Sequence, residues 1–183
     1  MTKTSRDTLR IATNGVLIAV YVVLSYLSFE TGGVKITLVS LPVILCAVLF
    51  GPIDALIVGL LGGFAEQMIR YGFTATTLLW ILPEAVRGLF VGLSLRLLRQ
   101  SADSIAKKSA VFFAVCLIAA PITSVLNTLV FAFDATLFGY YEYHMIWGVF
   151  GVRVALGFAT ALITAAAVTP VIAALRYSAR MKR

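Results

Sequence analysis

EQMIRYGFTATTLLWILPEAVRGLFVGL, residues 66–93, sets two acid–base pairs inside an otherwise apolar run. Glu66 and Arg70 are four residues apart, and Glu84 and Arg87 are three apart, so on a helix each pair shares one face. Charged pairs buried in apolar sequence are unusual in a soluble domain. The rest of the chain explains the setting.

Of the 183 residues, 61% are hydrophobic and 13% charged, with a mean hydropathy of +1.00. A soluble domain carries about 25% charged residues, so the composition defines an integral membrane protein, read here as one domain over 1–183. Six apolar segments follow one another at 9–29, 36–50, 53–69, 75–97, 109–133 and 146–175. The second is short against the roughly 20 residues that a helix needs to span a bilayer, which predicts a tilted or partly sheltered helix. The fold class is therefore all-α, with six transmembrane helices. Turn signals separate the segments: TGG at 31–33, FGPID at 50–54, RYG at 70–72, RQSADS at 99–104 and DATLFGYYEYH at 134–144. MTKTSRDTLR before the first segment resembles a signal-peptide start, but no small-residue cleavage site closes the segment, so a retained first helix is expected.

The net charge of +7 has a position as well as a size. Lys3, Arg6 and Arg10 lie in the N-terminal tail, Arg96, Arg99, Lys107 and Lys108 around one central loop, and Arg176, Arg180, Lys182 and Arg183 in the C-terminal tail. These make up eleven of the fifteen basic residues. The distribution follows the positive-inside rule and places both termini and the 98–108 loop in the cytoplasm. It is not a nucleic-acid-binding face.

With that topology, the embedded polar groups fall in the outer half of the bundle and the inner halves read as Leu, Val, Ile and Ala. Glu66 and Arg70 end the third segment, Glu84 and Arg87 lie partway down the fourth, Asn127 in the outer third of the fifth and Arg153 near the top of the sixth. Lys35 flanks the first outer loop. A charge at the bilayer centre costs roughly 2.5–3.5 kcal/mol, so such groups face one another or a cavity. Convergence from four segments points to an outward-facing pocket, although structural ion pairs tying helix ends together would also explain the two pairs. Phe73, Trp80, Tyr141 and Trp147 belong to an aromatic layer at the same depth, which can stack on a planar ligand or mark the membrane interface. Cys46 and Cys116 stand alone in apolar runs, consistent with small buried hydrophobes.

Ala12, Gly15 and Ala19 in the first segment, and Gly59 and Gly63 in the third, have the small-residue spacing that lets helices approach closely. No GxxxxGK[ST], HExxH or GxSxG motif is present, and the carboxylates are not clustered for a metal. The expectation is a non-enzymatic binding component with no cofactor. A small membrane enzyme acting on a lipid, with Glu84 and Arg153 as its reactive groups, and an assembly subunit without a ligand are the other readings.

VKITLVSLPVILCAVLFGPIDALIVGLLGG at 34–63 and YGFTATTLLWILPEAVRGLFVG at 71–92 resemble the substrate-capture (S) components of energy-coupling-factor vitamin transporters, in the folate-type and cobalamin-type group. LNT at 126–128 and Arg153 are similar to its last two helices. The resemblance implies a prokaryotic plasma-membrane protein that captures a water-soluble vitamin outside. It also implies partners: a transmembrane coupling subunit, docked through Ala12, Gly15 and Ala19, and two cytoplasmic ATPases that use the ATP. The candidate pocket residues, taken from the embedded polar groups and the aromatic layer, are Lys35, Glu66, Arg70, Phe73, Trp80, Glu84, Arg87, Asn127, Tyr141, Trp147 and Arg153. YGFTA departs from the Pro-Gly-Phe-Thr-Leu of folate-type members, and a charged PEAVR follows, so folate and cobalamin both stay open.

Overall fold

A computed structural model describes residues 3–31, 34–107 and 109–181. Most of the TGG turn and the basic residues Lys108, Lys182 and Arg183 lie outside the described residues. The elements are α1 (Lys3–Tyr26), a short antiparallel hairpin of β1 (Phe29–Thr31) and β2 (Val34–Ile36), α2 (Ser40–Leu49), α3 (Pro52–Arg70), α4 (Thr77–Trp80), α5 (Leu82–Leu97), α6 (Ala102–Lys107), α7 (Ala110–Leu137), a π-helical turn (His144–Gly148) and α8 (Phe150–Met181). In the hairpin, the backbone register sets residue 30 opposite residue 35.

Five stretches are long and apolar enough to cross a membrane: Asp7–Tyr26, Pro52–Arg70, Thr77–Leu97, Ala110–Leu137 and His144–Leu175. The short helix α2 is different in kind. Its residues Pro42 to Ala47 are all buried, because α1, α3, α5 and α8 pack around it. Protein rather than lipid surrounds this helix, so ten residues suffice where a lipid-facing helix would need about twice as many. Around the bundle, exposed apolar side chains such as Ile11, Ile57, Leu93, Ile118 and Ile163 form the surface that a bilayer covers.

The two helices of the opening stretch pack unusually closely. A Cβ at Gly59 would lie 2.7 Å from Ala85 Cα, one at Gly88 would lie 2.8 Å from the Ala55 carbonyl oxygen, and one at Gly92 would lie 2.5 Å from Pro52 Cα. Three glycines thus let the backbones of α3 and α5 touch, and Gly59 serves packing inside the bundle. The turn before α3 uses Gly51 at φ 97°, with Pro52 opening the helix. Pro83 lies within the first turn of α5, just past the break at Ile81 that separates α4 from α5.

Side-chain contacts show which helix ends lie together. Arg10 near the start of α1 meets Asp54 at the start of α3, and Arg70 at the end of α3 meets Ser25 and Ser28 at the end of α1. Thr76, just before α4, bonds to Asp134 near the end of α7, while Arg153 near the start of α8 bonds to Thr128. The bundle therefore has a basic end, which holds the start of α1, the end of α8 and α6, and an aromatic end. Between them the core is apolar, built on Val43, Ile44, Val58, Val91, Phe112 and Val168.

One expectation needs correcting. Polar groups are not confined to the aromatic half: a buried Asp54 bonds to the partly exposed Arg10 and Asn14 at the basic end. Arg10 and Asp54 are 44 residues apart, so no local spacing announces the pair.

Candidate ligand cavity

At the aromatic end, α1, α2, α3, α5, α7 and α8 enclose a cavity of about 570 Å³. Its polar wall consists of four groupings, each positioned by a different pair of elements.

The deepest joins α5 to α2 and α7. Arg87 Nη1 lies 3.1 Å from Glu84 Oε1, donates to Ser40 Oγ, and its Nε donates to Thr123 Oγ1 at 3.0 Å. Ser40 Oγ in turn donates to Glu84 Oε1 at 3.3 Å. Glu84 Oε2 is buried and, among the described residues, has no hydrogen-bond partner. The second grouping is on α3. Glu66 is 4% exposed, receives the Tyr21 hydroxyl from α1, and has Arg70 Nη1 at 3.7 Å.

The third closes the aromatic end. Asp134 accepts Thr76 Oγ1 and, at 3.3 Å, Trp80 Nε1 on one oxygen, and the Tyr140 hydroxyl on the other. Burial, the hydrogen bond to Asp134 and that carboxylate's charge push the Tyr140 phenol above its ordinary pKa, so it stays a donor through the neutral range. In the fourth grouping, Arg153 of α8 donates to the Met145 and Ile146 carbonyls at 3.0 and 3.2 Å and to Thr128 Oγ1 at 3.3 Å. Its guanidinium sits 4.9 Å from the Phe131 ring centroid. Trp80, Phe131 and Tyr140 form a chain of tilted rings with centroids 6.2 Å apart.

Of the residues singled out in the sequence, Glu66, Trp80, Glu84, Arg87, Asn127 and Arg153 stand on the cavity wall. Arg70, Phe73, Tyr141 and Trp147 do not. Arg70 reaches across to the last turn of α1, where it donates to the Ser25 carbonyl at 2.7 Å and to Ser28 Oγ, so it caps a helix C-terminus. Phe73 is 74% exposed beyond the end of α3. Trp147 donates to the Tyr141 hydroxyl at 3.0 Å on the outer surface, as interfacial aromatics do. Lys35 lies in β2, and its side chain is outside the described part of the structure.

Tyr21 and Gln67 were not singled out in the sequence, Asp134 was placed in an outer loop and Tyr140 only in the aromatic layer, yet all four line the cavity. A signal for one of them was available: Ser124, Asn127, Phe131 and Asp134 recur at helical spacing and share one face of α7. Among the described residues, no three His, Cys, Asp or Glu side chains gather closely enough to hold a metal ion.

A multi-helix membrane bundle with a polar cavity at one end and an apolar core beneath it belongs to the class of membrane-embedded binding components. Residues 9–175 match the family described as ECF transporter, substrate-specific component, and the chain belongs to that family. It is a multi-pass cell-membrane protein whose work is substrate recognition for transport, not catalysis. No curated protein matches it.

Proposed function

We propose that this chain captures a water-soluble vitamin from outside the cell and hands it to an ATP-driven importer. The observation that carries the reading is the cavity itself: about 570 Å³, at the end away from the basic tails, with ionic, hydroxyl and aromatic groups on one wall. That volume lies within the roughly 300–1,000 Å³ of small-molecule sites. The basic tails and the loop carrying α6 face the cytoplasm, so the cavity opens outward.

Folate and cobalamin are the candidate ligands. The amino-pyrimidine edge of a pterin presents N–H donors suited to Glu84 and Glu66, its rings can stack against Trp80 and Phe131, and a glutamate tail could reach Arg153. A corrinoid would pair its amides with the same acceptors and with Asn127, but its macrocycle needs more room and so requires the outer loops to part. Cavity size therefore favours folate.

The handover is assigned to a transmembrane coupling subunit with two ATPases. Ala12, Gly15 and Ala19 are exposed on α1, and a Cβ at Gly15 would meet nothing within 4 Å, so this face can receive a closely packed partner helix. Ala19→Leu is expected to abolish assembly and uptake while leaving ligand binding intact.

The direct test is an absorbance spectrum of the purified protein after mixing with excess folate or cobalamin in detergent and desalting. A retained pterin or corrinoid chromophore supports the reading and identifies the ligand class. A bare protein spectrum with both removes the two candidates.

A further inference from the structure

The polar cluster at the basic end has no part in the cavity, yet it is built as tightly. Asp54 lies in the first turn of α3, and its side chain is 11% exposed. Both of its carboxylate oxygens are taken by α1: Arg10 Nη2 donates to Oδ2, and Asn14 Nδ2 donates to Oδ1 at 2.8 Å. From α2, the Cys46 thiol donates to Asn14 Oδ1 at 3.4 Å. Three helices are thus tied together around one carboxylate, whose place at a helix N-terminus also favours its charge.

The geometry of α1 gives these bonds a consequence. At 3.6 residues per turn, Arg10, Asn14, Leu17 and Tyr21 fall in one narrow arc of the helix. Leu17 and Tyr21 are buried against the bundle. Ala12, Gly15 and Ala19 fall on the opposite side and are exposed. Of the five membrane-crossing stretches, α1 is the least buried. At its aromatic end α1 is held by Arg70 on Ser25 and Ser28 and by the Tyr21 hydroxyl on Glu66, whereas at the basic end the apolar contacts of Leu17 have no direction of their own. Hydrogen bonds to a carboxylate are directional and are lost when the helix turns.

We infer that Asp54 is a positioning residue: through Arg10 and Asn14 it fixes the rotation of α1 and so aims Ala12, Gly15 and Ala19 at the coupling subunit. The inference rests on the docking face proposed above. It deepens that reading by naming the group that sets the face's direction, on a different helix and at the far end of the bundle from the ligand.

The test compares Asp54→Asn, Arg10→Gln and the exchange Arg10→Asp with Asp54→Arg in the full chain. Two readouts are needed: co-purification with the coupling subunit and ATPases, and the lipid-phase accessibility of a spin label at Val23→Cys, an outward position 60% exposed. Asp54→Asn is expected to reduce assembly about fivefold or more, the low end of a coupling between separated sites. It should also change the accessibility of the label, and the exchange should recover both. Arg10, whose side chain is 47% exposed, gives a variant that carries the test if Asp54→Asn does not fold.

Assembly unchanged in both single variants would overturn the inference, and so would assembly lost with the label's environment unaltered. Ala19→Leu separates the two layers. If it blocks assembly while the Asp54 and Arg10 variants do not, the docking face stands and the positioning role falls. If it assembles normally, the docking face fails and the positioning role fails with it.

Discussion

Removing Arg87 tests the cavity's construction most directly, because that side chain holds three helices to one carboxylate. Arg87→Met keeps most of the aliphatic length and deletes the guanidinium. Glu84 then loses its ion-pair partner at 3.1 Å and keeps only Ser40, at 3.3 Å, on the same oxygen. Its other oxygen has no partner among the described residues. Taking one member from a buried pair costs about 3–5 kcal/mol, chiefly because the remaining charge is left uncompensated. The side chains here are 11% and 14% exposed, so cavity water relieves part of that cost and the lower end, about 3 kcal/mol, applies. At about 2–4 °C per kcal/mol for a chain of this size, the melting temperature in detergent should fall by about 6–12 °C. Adding Glu84→Gln removes the orphan charge and should recover more than half of the loss. A single variant as stable as the native protein would refute the reasoning, and so would a double variant that lost the sum of the two single effects.

Three further outcomes follow from the same contacts. Glu84→Ala or Arg153→Ala should weaken binding of the retained vitamin at least about tenfold, or about 1.4 kcal/mol; equilibrium dialysis showing unchanged affinity in both would remove their assignment to the site. Tyr140, with its phenol raised, contributes its tie to Asp134 fully below the ordinary tyrosine value of about 10, and the tie is lost as pH rises through the higher folded value. The difference between tyrosinate titrations of the native protein and Tyr140→Phe should place its ionisation above that ordinary value, and ionisation at or below it would sink the clasp. Gly92→Ala would set a Cβ 2.5 Å from Pro52 Cα and should destabilise by about 1–3 kcal/mol, read as a lower melting temperature with α3 and α5 pushed apart; an unshifted melting curve would show that the helices can yield there.

The spans were legible because apolar length is a strong signal: the segments at 53–69, 75–97 and 109–133 fall close to Pro52–Arg70, Thr77–Leu97 and Ala110–Leu137. Three-residue strands such as Phe29–Thr31 and a six-residue helix such as Ala102–Lys107 are too short to show a period. The cavity was legible in depth but not in direction. Glu66 and Arg70 share a helix face as their spacing requires, yet only Glu66 lines the cavity, because the longer arginine finds a better acceptor at the end of α1. Asp134 was read as part of an outer turn, but α7 continues to Leu137 and buries it. Tyr21 lies among apolar residues of α1 and betrays nothing in sequence. Its role comes from Gly62 of α3, where a Cβ would lie 2.7 Å from the tyrosine ring.

How the fold divides its polar groups limits how a ligand can leave. The cavity wall ends in the layer of Arg87, Ser124 and Thr160, and below it Val43, Val91, Phe112 and Val168 are each fully buried. A ligand held, as proposed, by Glu84 and Arg153 would have to shed those bonds to enter this layer, at a cost of about 1–3 kcal/mol for each buried polar group left unpaired. It would then need an opening between helices that α3 and α5, in backbone contact at Gly59, Gly88 and Gly92, are poorly placed to provide. The proposed delivery into the cytoplasm would therefore require a movement that brings the existing mouth to a new location, or a partner that pries the outer loops apart. Both need grip on the outside of the bundle. In the proposed docking, the lightly packed helix α1, whose opposite side bonds to Asp54, would offer that grip without disturbing the α3–α5 contact on which the cavity wall depends.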